Sequence, residues 1–116
     1  MLEKKSTIQI EVSLNEEKIT DKIEWKADDN PYQEGFKESK ALLLSLFDKE
    51  SKDTMKIDLW TTEMQVNEMD RFFYQTFRSL ADTYFKATQN RELAIEMQRF
   101  AQFFGETTEI IPKENK

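Results

Sequence analysis

The hydrophobic period changes once along this chain, and that change limits its fold more than any other feature. Up to Trp60 apolar side chains favour every second position, whereas from Asn67 they recur at helical spacing. Period 2 buries one face of a strand and period 3.6 one stripe of a helix, so neither segment suits the other structure. Ile8, Ile10, Val12 and Leu14 point one way, and Gln9, Glu11 and Ser13 the other. That is a strand with one wet face. A polar turn over residues 15–18 leads to a second strand, with Ile19, Ile23 and Trp25 set against Lys22, Glu24 and Lys26. The two predict an antiparallel hairpin.

Residues 27–40 read as a polar, acidic connection, and Pro31 bars a helix from crossing it. The short apolar run Ala41–Phe47, the charged loop 48–53 and the alternating segment Thr54–Trp60 predict a second hairpin. Asn67 then predicts an N-cap, with Asp70 complementing the helix start. Met69, Phe72, Phe73, Phe77, Leu80 and Tyr84 follow on one face, an amphipathic helix of about five turns whose aromatic stripe reads as core. Thr88-Gln89-Asn90 breaks it. A second helix carries Leu93, Met97, Phe100 and Phe104, with Gly105 placed to end it. The expected fold is therefore α+β with the order ββββαα: one four-stranded antiparallel sheet of two hairpins, then two helices packed on one face. It fills a single domain over residues 6–105, followed by a loose C-terminal tail over 106–116.

Composition narrows the function. The 116 residues carry a formal net charge of −6, which lacks the basic footprint that nucleic acid or an anionic membrane surface attracts. There is no His and no Cys. That removes the usual general base near neutral pH, the Ser-His and Cys-His pairs, and nearly all zinc sites. The loops around Asp28-Asp29-Asn30 and Asp48–Asp53 offer oxygens but lack the sharp-turn Gly and closing Glu of a calcium loop. Only two glycines exist, Gly35 and Gly105, so no glycine-rich phosphate cradle forms. The reading is a chain that is not an enzyme and needs no cofactor or metal. The opening residues Met1–Lys5 show no apolar leader and no run is long enough to span a bilayer, which points to the cytoplasm.

One feature calls for a binding role. If Met55, Ile57 and Leu59 face the helices, Trp60 falls on the opposite sheet face, and Leu43 and Phe47 join it by parity. The outer face would then set Leu43, Phe47 and Trp60 beside Gln9, Glu11, Lys22 and Glu24. Such an apolar patch marks a protein interface, unless a loop or the tail covers it.

The segments Ile23-Glu24-Trp25, Leu44–Asp48 and Ile57-Asp58-Leu59-Trp60-Thr61 resemble the GldC family of gliding-motility accessory proteins. So does Met64-Gln65-Val66-Asn67-Glu68-Met69 leading into Phe72-Phe73, and the likeness covers residues 6–105. It implies a cytoplasmic protein that assists the gliding apparatus, coupled to type IX secretion, by binding protein partners. It brings no catalytic residue. A weaker likeness, of architecture alone, is to the SecB export chaperone, and architecture is a poor warrant for function. It would give Leu43, Phe47 and Trp60 a use in homo-oligomer formation or in holding a secreted client.

Overall fold

The sheet residues form their elements where alternation is cleanest. The computed structural model describes residues 4–30 and 34–114, and Pro31, read above as a barrier to helix, lies outside them. The order is β1 (Ile8–Leu14), β2 (Thr20–Ala27), β3 (Lys37–Ser39), β4 (Ala41–Phe47), β5 (Thr54–Trp60), α1 (Val66–Thr88) and α2 (Arg91–Thr107). The α+β class is as expected. The chain divides into two compact units, one ending at Met64 and the other starting at Gln65.

In the first unit the expected single four-stranded sheet is replaced by two smaller antiparallel sheets, β1-β2-β3 and β4-β5. β1 pairs with β2 in the register Val12 to Ile23. The Asn15 carboxamide oxygen accepts the Glu17 and Ile19 amides and closes that turn. The strand that sequence reading missed is β3, three polar residues paired with β2 in the register Ile23 to Ser39. One further step would set Lys22 opposite Lys40. Like charges directly opposite each other disfavour pairing, and the chain bends at Lys40. Lys22 turns instead to Glu24 at 3.6 Å and Glu38 at 3.7 Å. Past the bend, the Lys40 carbonyl accepts the Thr61 amide at 2.8 Å, extending the β4–β5 ladder. The sheet therefore splits at the Lys40 bend.

In the second unit α1 starts two residues earlier than an N-cap at Asn67 suggests. Gln65 is the N-cap, and the Glu68 carboxylate accepts the Gln65 amide at 3.1 Å, one arm of a capping box. Gln89 ends α1 in the left-handed region (φ 60°), at the break expected over residues 88–90, and the Asn90 side chain caps α2 by accepting the Leu93 amide. Gly105 does not end α2, which runs on to Thr107 with Thr108 as its cap.

The buried positions explain why. They are Tyr74 and Ala81 on α1, and Ala94, Ala101 and Gly105 on α2. Spacings of seven and four residues keep each set on one stripe. A Cβ at Gly105 would lie 2.6 Å from Tyr74 Cε1 and 2.9 Å from Ile111 Cγ1, so glycine permits this close approach. The phenylalanines expected as core flank the seam instead. Phe77 meets Phe100 at 5.2 Å and Phe104 at 5.1 Å, edge to face, a favoured aromatic geometry, yet Phe77 is only half-buried and Phe100 exposed. Beyond α2 the chain turns back, with the Ile111 amide on the Gly105 carbonyl and the Glu114 amide on the Glu106 carboxylate.

Gly105→Ala separates these roles by sign. In an open helix the change stabilises by up to about 1 kcal/mol, whereas overpacking against Tyr74 should cost about 1–3 kcal/mol. We expect a lower denaturant midpoint at unchanged slope; a raised midpoint would show that the seam is loose.

Candidate functional site

The β4–β5 ribbon holds the three residues singled out from sequence. Its register pairs Ala41 with Trp60, Leu43 with Asp58, Ser45 with Lys56 and Phe47 with Thr54. Directly opposed residues share a face, so Leu43, Phe47 and Trp60 do lie on one side. Hydrogen bonds from Thr61 to Lys40 and from Asp48 to Asp53 bracket the ribbon. The alternation of an antiparallel ladder then makes these four the non-hydrogen-bonded pairs, whose side chains stand closest. All three residues are exposed, Leu43 at 37%, Phe47 at 71% and Trp60 at 59%.

They do not form one continuous patch. Phe47 and Trp60 stand at opposite ends and on different strands, with Leu43 between them and Ser45, Lys56 and Asp58 filling the middle. Lys56 and Asp58 pair at 3.2 Å. The polar residues expected beside the patch, Gln9, Glu11, Lys22 and Glu24, belong to the other sheet. There Glu11, Glu24 and Glu38 stand abreast on three strands. The reverse face of the ribbon is aliphatic, and its Leu46, Met55 and Ile57 are exposed as well.

Sequence reading missed Thr61. It is 3% exposed, and among the described residues its hydroxyl has no hydrogen-bond partner. It borders a cavity of about 530 Å³ shared with Ser13, Lys22, Ser39 and Glu63, where the two sheets diverge. No local pattern in the sequence marks Thr61 as buried, because its burial follows from the bend at Lys40.

The Asp48–Asp53 loop uses its leading carboxylate internally. Asp48 Oδ2 accepts the Ser51 amide at 2.8 Å and the Glu50 amide at 3.1 Å. The Ser51 amide, then the Ser51 hydroxyl, then the Glu50 amide hold its carboxyl below the usual range, since each favours the charged form. Among the described residues no group of three or more His, Cys, Asp or Glu is arranged to hold a metal ion. Nor is any described helix long and apolar enough to cross a membrane.

Fold and surface together define a small α+β protein of two sheets and a helical hairpin, whose most distinctive chemistry is an apolar ribbon open on both faces. The family model for GldC-like, gliding motility-associated proteins matches residues 20–110, and the chain belongs to that family. The match runs from β2 past the end of α2 and agrees with the resemblance carried by Ile57–Thr61 and Met64–Met69. No curated protein and no solved structure matches the chain.

The depressed Asp48 pKa fixes a sign. Its stabilising contribution is present above the unfolded pKa and is lost as pH falls through the lower folded value. A carboxyl-detected NMR titration should place Asp48 below the ~3.9 of a free aspartate, and Ser51→Ala should raise it. A midpoint at or above the free value would show that the turn does not hold its carboxylate.

Proposed function

We propose that this chain is a non-catalytic accessory protein of bacterial gliding motility that works in the cytoplasm by binding other proteins, in connection with type IX secretion. Membership of the GldC-like family supports the motility part. The observation that carries the binding part is the β4–β5 ribbon, which exposes Leu43, Phe47 and Trp60 on one face and Leu46, Met55 and Ile57 on the other. Exposed apolar patches of this kind mark interaction sites. The absence of His and Cys from the sequence leaves few routes to acid–base or nucleophilic chemistry.

A second reading, a SecB-like holding chaperone, draws on an open apolar groove of about 340 Å³ on the helical hairpin. Phe77, Leu80, Leu93, Met97 and Phe100 line it, and an apolar side chain of an unfolded client would suit it.

Crosslinked affinity capture from gliding cells, read by mass spectrometry, tests both. The accessory reading expects one or two stoichiometric components of the apparatus, with Phe47→Asp or Trp60→Ser lowering their recovery at unchanged circular dichroism. A broad set of unfolded secreted proteins would overturn it in favour of the chaperone.

A further inference from the structure

We propose that the ribbon face bearing Leu43, Phe47 and Trp60 is occupied by the same face of a second copy, across a two-fold axis passing the Leu44–Ile57 pair. This rests on reading the face as protein-binding and names the partner there. The axis lies between the two ribbons and perpendicular to their strands. Rotation about it exchanges positions equally far from that pair, and the register of the ribbon then fixes what meets what. Phe47 comes over the second copy's Ala41, beside its Trp60. Trp60 comes over Thr54, beside Phe47, and Leu43 comes over Ser45. At every position a large side chain meets a small one, which lets faces about 10 Å apart interdigitate.

Charge fits the same operation. Lys56 and Asp58 are the ionisable residues of this face, and the rotation places Lys56 of each copy over Asp58 of the other. The two already neutralise each other within one chain at 3.2 Å. Two copies of a chain carrying −6 repel at long range, so a face of zero net charge is where they can meet. An isologous contact needs a surface complementary to itself, and this face meets that demand in both size and charge. The opposite face offers aliphatic side chains alone, with no charge to fix a register. A face two strands wide and seven residues long, roughly 10 by 24 Å from strand spacing and rise, falls below the roughly 1,200–2,000 Å² that stable specific interfaces bury, in the range of weak, transient contacts. The dimer should therefore exchange with monomer over micromolar concentrations.

Sedimentation velocity of the full chain across that range tests the proposal. The natural sequence should shift from monomer to dimer, and Phe47→Asp should stay monomeric. Lys56→Asp and Asp58→Lys, both at exposed positions, should each weaken self-association at least tenfold. Mixed together, the two reversed chains should form a heterodimer, because each supplies the charge that the other lacks. A natural chain that is monomeric throughout overturns the proposal, as does a dimer indifferent to both reversals or a mixture that fails to pair. Cellular capture is read separately: a monomeric chain that still captures an apparatus component sinks the dimer and leaves the accessory function standing. Conversely, a charge-paired dimer that captures nothing would leave the dimer and remove the function.

Discussion

Ile23 is the one large side chain shut away completely among the described residues, and it sits mid-sheet, opposite Val12 on one side and Ser39 on the other. In the second unit no large side chain is shut away so completely, Tyr74 keeping 8% exposure. The buried positions there are Tyr74, three alanines and Gly105. With 34% charged residues, the chain relies on backbone ladders, capped helix ends and one close helix approach more than on a thick core. A net hydrogen bond contributes only about 0.5–1.5 kcal/mol, so the many short-range closures at Asn15, Asp48, Gln65 and Asn90 matter collectively. This economy of burial leaves apolar side chains at the surface.

Element type and order could be read from periodicity because the signal lies in single residues at fixed spacing. Ile8 to Leu14 and Thr54 to Trp60 alternate without interruption, and the Thr88-Gln89-Asn90 break carries both a left-handed cap and an N-cap. The parity that groups Leu43, Phe47 and Trp60 is likewise a property of spacing. What could not be read depends on pairs far apart in sequence. β3 has no apolar pattern of its own and exists because β2 offers it an edge. The split into two sheets follows from the bend at Lys40 between β3 and β4, which no local hydrophobic pattern marks. Gly105 carried a plausible local meaning, helix termination, that proximity to Tyr74 overrides.

The surface that results is unusual for so acidic a chain. The three-stranded sheet and both helices carry charges, with Lys22 lying between the Glu24 and Glu38 carboxylates, while β4 carries none at all. A segment without charge inside a strongly charged chain separates long-range repulsion from short-range contact. This separation favours specificity over strength, as electrostatic complementarity generally does.

The seam between α1 and α2 has a consequence for how such a sequence can change. At Ala81, Ala94, Ala101 and Gly105 there is room for no larger side chain without moving a helix, since packed interiors yield little. On the exposed ribbon, by contrast, size and polarity can vary while the backbone ladder persists. Positions intolerant of change are thus the helix seam and Ile23, whereas the exposed ribbon positions are free to vary. A lineage could remodel the exposed ribbon many times while the helical seam stayed fixed in volume.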